Sequence, residues 1–424
     1  MISATSLPRI LHAATGRPLS LAQHEETFAT QGPRPSLFDE LEASGLTGRG
    51  GAAFPTARKV SLLKEQRGHH KVVAVNAMEG EPASHKEFAL LNSNPHLVLD
   101  GAQFLATMIG ANEIVVCVAR DNASVINSLT RAIHERTGTS RREAPMHLRT
   151  PPWRYVAGEE SALAHWLNDN ESLPQYRAQR PTVLKLGHRP LLVDNAETCA
   201  NVGLIGRFGA QWFRGLGSTQ SPGSVLVSLS GAVERPTVFE VSSGTALRAI
   251  IAAGAESDAQ AVLLGGFGGT WLGASHFDTP YDNESLGVHG AGVGAGVIVV
   301  LPQSGCGIAE THRIVQWMAN ESARQCGPCA FGLPAMGDDL FHIARGSDQA
   351  GHAFQRLKRR GDTIEGRGAC HHPDLVVRMV RSAMDVFAED VTHHVEHGAC
   401  EAAKAQRHFV PVPSLEHESE LLWQ

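Results

Sequence analysis

The chain divides by the period of its apolar positions. Lys71-Val72-Val73-Ala74-Val75 is an unbroken apolar run bounded by polar residues, which predicts a strand buried on both faces. Leu97 to Ile109 repeats apolar residues at helical spacing, Glu113 to Ala119 forms a second buried strand, and Ala123 to Arg136 a second helix. Strands alternating with helices predict βαβ units around a mainly parallel sheet. Leu191 to Thr198 is a further strand that ends in the polar residues Asp194, Asn195, Glu197 and Thr198, as the first ends in Asn76, Glu79 and Glu81. Open α/β sheets bind ligands at such carboxyl ends.

From Ser224 the pattern changes. Ser224 to Ser230 alternates apolar and polar residues, Gly231 to Pro236 makes a turn, and Val238 to Val241 resumes the strand. With the helical Ala246 to Ala253, the glycine-rich Gly265 to Gly269 and the buried run Gly294 to Leu301, this predicts a small α+β module. Beyond Pro302 helix formers and charge continue to Cys400, which predicts a helical domain. The expected organisation is an N-terminal extension over 1–35, wrapping the first domain or loosely ordered, an α/β domain over 36–218, the α+β module over 219–302, the helical domain over 303–400 and a peripheral tail over 401–424.

Composition narrows the classes. A chain of 424 residues is too long for one ordinary core. No apolar run approaches the roughly 20 residues of a membrane span. The net charge of -6, with Lys and Arg scattered, leaves no footprint for nucleic acid. Met1 to Arg9 lacks the charged and apolar regions of a secretory signal, so a cytoplasmic location is expected. Of seven cysteines, five fall between Cys306 and Cys400, and such clustering in a cytosolic protein points to metal more than to disulfides. Cys117 and Cys199 read as core residues, and most of the 22 histidines as solvated or core.

The candidate chemistry begins at Gly48-Arg49-Gly50-Gly51-Ala52-Ala53-Phe54-Pro55-Thr56-Ala57-Arg58-Lys59. Its glycines let backbone N–H groups close on an anion, Arg49 and Lys59 supply positive charge, and Pro55 suits the first turn of a helix whose N-terminus faces the same anion. The loop predicts a phosphate cradle, and a plain structural turn is the alternative. Tyr155-Val156-Ala157-Gly158-Glu159-Glu160 brings two carboxylates to a helix start, where complementing the helix dipole is the simpler role.

Together these motifs resemble the flavin-carrying NADH-dehydrogenase subunit of respiratory complex I and its relatives in NAD-linked hydrogenases and formate dehydrogenases. The resemblance covers about residues 45 to 395. It rests on Gly48-Arg49-Gly50-Gly51-Ala52 with Phe54-Pro55-Thr56 and Lys59, on Asn76 with Glu79, Glu81 and Pro82, on Tyr155 with Gly158-Glu159-Glu160, on Val193 with Asn195, Glu197 and Thr198, and on Glu321-Ser322 with Gln325-Cys326, Pro328-Cys329 and Gly332. It implies a Rossmann-like FMN domain, a β-grasp insert of the SLBB type and a helical bundle holding one [4Fe-4S] cluster. It places the FMN phosphate near Arg49 and Lys59, with Gly48, Gly50 and Gly51 in the loop and Asn76, Gly158, Glu159, Asn195 and Thr198 hydrogen-bonding the flavin. Glu79, Tyr155 and Asp194 fall in the same cofactor-binding motifs. Phe54, Glu81 and Glu160 face the nicotinamide nucleotide, the two carboxylates in the catalytic position.

Four departures stand out. Met78 replaces an Asp beside the flavin, and Asp194 replaces an Asn. The segment Gln179 to Val183 lacks the family's Pro-Pro-Phe, whose ring stacks on adenine. The first cysteine of the cluster motif aligns with Ala323, which leaves Cys326, Cys329 and Cys370 as three metal ligands where a cluster takes four. Cys306, Cys400, His371 or His372 completes the set, or the cluster has three irons, or the site is empty; the spacing also fits zinc. The expected function is an oxidoreductase passing electrons from NADH through FMN and an iron–sulfur cluster to a protein acceptor. One alternative is an FMN and iron–sulfur protein that exchanges electrons with ferredoxin or another protein and does not use NADH; another is a binding module with a vestigial flavin site. Docking to a membrane complex is compatible with both electron-transfer readings.

Overall fold

The computed structural model describes residues 5–11, 17–29, 36–66, 70–137, 143–176, 183–254 and 258–414. The first sheet contains β1 (Lys71–Asn76), β2 (Ala111–Cys117), β3 (Met146–Arg149), β4 (Leu184–Leu186) and β5 (Arg189–Asn195), ordered β3-β2-β1-β5-β4. The pairs β1–β2, β2–β3 and β1–β5 are parallel, and only the β4–β5 hairpin is antiparallel. Asn76 lies in register with Asn195, so the polar ends of β1 and β5 share one edge. The sequence pattern missed β3 and β4 because four and three residues carry no readable period.

Helices Pro95–Ile109 and Ala196–Phe208 cover one face. They meet backbone to backbone: a Cβ on Gly101 would lie 1.7 Å from the Cys199 carbonyl oxygen, and one on Gly203 2.6 Å from that of Leu97. This close crossing fixes where the second helix begins, and its first turn carries Glu197 and Thr198. A buried Asp100 takes charge-assisted hydrogen bonds from Arg136 and Arg207 and pairs with His24 across the same layer. The described parts of the N-terminal extension are built in: Arg9 and Ile10 are buried, and both donate backbone N–H groups to Glu240.

The second sheet holds β6 (Ser224–Gly231), β7 (Thr237–Ser242), β8 (Ala259–Leu264), β9 (Thr270–Gly273) and β10 (Val297–Pro302), ordered β7-β6-β10-β8-β9. Parallel β6–β10 at the centre, antiparallel flanks and the helix Leu247–Ala252 give the β-grasp arrangement. One face packs on that helix. The other shares a hydrophobic core with the helical bundle, built from Gly307–Asn320, Leu333–Ala344, Ala350–Ile364, His372–Val386 and Ala388–His397. The tail is less peripheral than expected over its described residues, because Val410 is buried and the Phe409 N–H donates to Glu310 at 2.6 Å.

Candidate flavin and metal sites

The glycine loop folds over the common edge of β1 and β5. Gly51 takes φ +107 and Ala53 φ 50, left-handed values that let the chain reverse. The loop closes through Gly48 N–H to Phe54 O at 2.9 Å, and Arg49 N–H donates to Thr198 Oγ1 at 2.8 Å. A Cβ on Gly50 would come within 3.3 Å of the Asn195 side chain, so the loop presses on the start of helix Ala196–Phe208.

Beneath the loop lies a buried ion pair that the motif pattern did not single out. Lys86 Nζ donates to the Arg49 carbonyl at 2.7 Å and to Glu197 Oε2 at 2.5 Å, while Glu197 Oε1 accepts the Leu226 N–H at 2.8 Å. The pair thereby ties the loop to both sheets. Burial would lower the Lys86 pKa, but Glu197 and Glu87 outweigh it and push it up to about 12. Arg49 beside it is half-buried. One of its nitrogens donates to Pro222 O at 3.3 Å, but Nε has no hydrogen-bond partner.

The residues at the strand ends hold one another. Asn76 donates to Gly158 O at 2.8 Å and accepts the Met78 N–H at 3.2 Å. Asn195 caps helix Ala196–Phe208, accepting from Glu197 and Thr198 N–H, and donates to Glu87 at 2.6 Å. Glu159 caps helix Glu160–Asp169 through Ser161 and Ala162, the simpler role the sequence allowed. Lys59 reaches Glu160 and the Val193 carbonyl at 2.5 Å each and lies 3.6 Å from Asp194. Desolvation alone would lower the Lys59 pKa; Asp194 and Glu160 reverse the sign and raise it. Met78 is buried in the apolar layer against Gly158.

Glu79, Glu81 and Tyr155 turn toward the neighbouring elements. Glu79 accepts N–H groups from Glu87 and Phe88, both at 3.0 Å, at the start of helix Lys86–Leu91. Glu81 accepts from Phe267 at 2.9 Å and Ala83 at 3.2 Å, which anchors the Gly265–Gly269 turn of the second sheet. Burial pushes its carboxyl up to about 7 against those amide bonds. The Tyr155 ring lies 5.7 Å from Trp317 and 5.5 Å from His372, and its N–H donates to Glu321 at 3.1 Å. Phe54 presents an exposed ring beside Arg58, at 5.6 Å. Gln179 to Thr182, where the adenine ring partner would lie, are outside the described residues.

Cys326, Cys329 and Cys370 meet where the turn after Asn320 approaches the start of helix His372–Val386. Burial raises the Cys329 thiol pKa, and the neighbouring Cys326 and Cys370 raise it further. Of the four residues considered for a fourth ligand, Cys306 and Cys400 face each other and His394 instead. His371 is exposed and lies 3.9 Å from Asp374. His372 is buried; its Nε2 donates to Met318 O at 2.9 Å, and Nδ1 has no hydrogen-bond partner.

The NADH-ubiquinone oxidoreductase-F iron-sulfur binding region matches residues 309–394, and the Nuo51 FMN-binding domain matches 41–204. The NADH-quinone oxidoreductase-F protein of Mycobacterium bovis is 30% identical over 390 residues, which cover 87% of this chain and 86% of the relative. The chain belongs to the NADH-quinone oxidoreductase-F family. The oxidoreductase-F 2 protein of Rhizobium meliloti is 29% identical over 378 residues, covering 86% of this chain and 90% of the relative. The crystal structure of an NAD+-reducing [NiFe]-hydrogenase in its H2-reduced state superposes with a TM-score of 0.81 at 25% identity, over 93% of this chain and 68% of that one.

The residues present fit the cofactors of the oxidoreductase-F family, FMN and an iron–sulfur cluster. The buried, unpartnered Arg49 Nε beside the glycine loop suits an anionic phosphate. Three grouped thiols suit a cluster.

Proposed function

We propose that this member of the oxidoreductase-F family takes electrons from NADH and delivers them, through FMN and an iron–sulfur cluster, to an acidic protein carrier. FMN supplies the exchange between two-electron and one-electron chemistry, and the protein supplies position and electrostatics. The observation that carries the proposal is the half-buried Arg49 guanidinium beside the loop, whose Nε is shielded from solvent and has no hydrogen-bond partner. The loop N–H groups share that role. Glu160, held by Lys59 at 2.5 Å, and the exposed Phe54 line the approach for nicotinamide, and Asn76, Gly158, Asn195 and Thr198 frame the flavin edge. Cys326, Cys329 and Cys370 hold the cluster.

The carrier's docking face is the surface beside Cys329. Phe331, 77% exposed, follows that cysteine by two residues, and Arg356, Arg359 and Arg360 line the adjoining groove with Ile364. Arg356 and Arg360 share the buried Asp339, so the three arginines leave a net positive rim around an apolar centre, which suits an acidic partner. Among the described residues no helix is long and apolar enough to cross a membrane. A cytoplasmic location, with docking to a larger complex, fits that surface.

The test is anaerobic reduction of purified protein by NADH, followed in the visible spectrum. Bleaching of the flavin band and then of the cluster absorbance is expected. Lacking the aromatic side chain that stacks on adenine costs about 1–3 kcal/mol, or roughly ten- to a hundred-fold in Kd, so saturation requires high NADH. No bleaching at millimolar NADH, with rapid bleaching by reduced ferredoxin, would hand the donor role to a protein.

A further inference from the structure

Two thiols from opposite ends of the helical domain meet around one buried imidazole. Cys306 Sγ, Cys400 Sγ and a ring nitrogen of His394 all lie within 4.8 Å of one another. The nitrogen 3.8 Å from Cys306 Sγ is Nε2, which also accepts the Cys400 N–H at 3.2 Å. Nδ1 lies 3.0 Å from the Ile343 carbonyl, an acceptor only, so Nδ1 carries the proton and Nε2 is the unprotonated nitrogen, whose lone pair takes the Cys400 N–H here and would have to exchange that amide for an ion. A backbone carbonyl on the far nitrogen is how metal-binding histidines are oriented.

The dimensions suit zinc. Tetrahedral bonds of about 2.3 Å to sulfur and 2.0–2.1 Å to nitrogen put sulfur and nitrogen about 3.6 Å apart and two sulfurs about 3.8 Å apart. Cys306 caps helix Gly307–Asn320 and accepts the Ala309 N–H at 3.4 Å; Cys400 caps Glu401–Lys404 and accepts from Ala403 at 3.4 Å. Each sulfur therefore accepts a backbone amide at a helix start. His394 and Cys306 are buried while Cys400 is half-exposed, so the trio opens on one side only. Asp390 stands on that helix one turn before His394. Cys306 and Cys400 also fall outside the matched iron–sulfur region, which ends at His394.

We propose that Cys306, His394 and Cys400 bind one zinc ion, separate from the iron–sulfur cluster, with Asp390 or a water in the fourth position. Binding releases the two thiol protons to solvent and changes no oxidation state. The ion clips the chain beyond His397 to the start of helix Gly307–Asn320, under which that segment packs.

The experiment is metal analysis and zinc-edge X-ray absorption on the full chain purified anaerobically with its cofactors. One zinc per chain, with two sulfur and one or two nitrogen or oxygen neighbours, is expected. In Cys400→Ala zinc falls below a tenth of an equivalent while iron and FMN hold; in Cys326→Ala iron falls and zinc holds. Four outcomes overturn the proposal: no zinc even after one equivalent is added, a zinc shell of three sulfurs, iron lost from Cys400→Ala, or a native Cys306–Cys400 disulfide by mass spectrometry. The absorption spectrum of the unaltered protein decides the matter if the variants do not fold, and none of these outcomes depends on NADH oxidation.

Discussion

Glu81 carries a proton at a pH where free carboxylates have lost it, because burial pushes its pKa up to about 7. Between the unfolded value of about 4.3 and that value the native state binds more protons than the unfolded chain, so stability falls as pH rises through the window. Asp194, raised to about 6 by burial and Glu160 against Lys59, acts in the same direction. Stability should therefore fall between about pH 4 and about pH 7, by at most about 1.4 kcal/mol per unit and group. Glu81→Gln should flatten part of that slope, and an unchanged slope would remove Glu81 from the account. Arg49→Gln tests the cradle: losing a charge-assisted bond of about 1.5–3 kcal/mol weakens FMN by roughly ten- to a hundred-fold, read by fluorescence titration of protein stripped of flavin. At this scale the glycine loop and the helix start at Glu159 were legible, since a turn or a helix start depends on near neighbours, whereas the run to Thr198 read as one strand although Asn195 caps a helix there. Lys86 and Glu197 pair across 111 residues, and nothing local marks that partnership.

Long apolar runs made β1, β2, β5 and β10 readable, because a strand buried on both faces needs every position apolar. β8 offers only Ala261 to Leu264 as a continuous run and β9 has four residues, too few to separate a strand from a turn of helix. The crossing of helices Pro95–Ile109 and Ala196–Phe208 was hidden for another reason. Its signal is the absence of a side chain at Gly101 and Gly203, and helical glycines have no unique meaning in sequence. Gly101→Val tests the crossing. The new Cβ would sit 1.7 Å from a carbonyl oxygen, and neither helix can move without displacing the Asn195–Thr198 turn. A loss of more than about 3 kcal/mol is expected, with FMN released below the unfolding midpoint of the unaltered protein. Thermal melting followed by flavin fluorescence checks it; retention of FMN at the normal midpoint would show that the turn is held by something else.

The boundaries expected at 302 and 303 separate two modules that share one core. Trp271 of β9 is buried, its backbone N–H donates to Ser382 Oγ at 2.9 Å, and its ring meets Phe387 at 5.2 Å. Arg378 donates to the Gly268 carbonyl at 2.7 Å in the turn that Glu81 anchors from the first domain. A hydrophobic period shows which face of an element is buried but not which neighbour buries it, so this joint could not be read from the chain. Its consequence is cooperativity. Two independent domains would lose flavin and cluster absorbance at different temperatures, whereas a common core carries both sites through one transition. Trp271→Ala removes the largest side chain in the joint and should cost about 3–5 kcal/mol. If the core is shared as the packing indicates, the variant melts earlier, and flavin release moves down in temperature together with cluster loss, although Trp271 lies in neither site. A variant whose cluster absorbance fails early while flavin release keeps its original midpoint would mean that the helical domain unfolds by itself, with the second sheet belonging to the flavin domain alone.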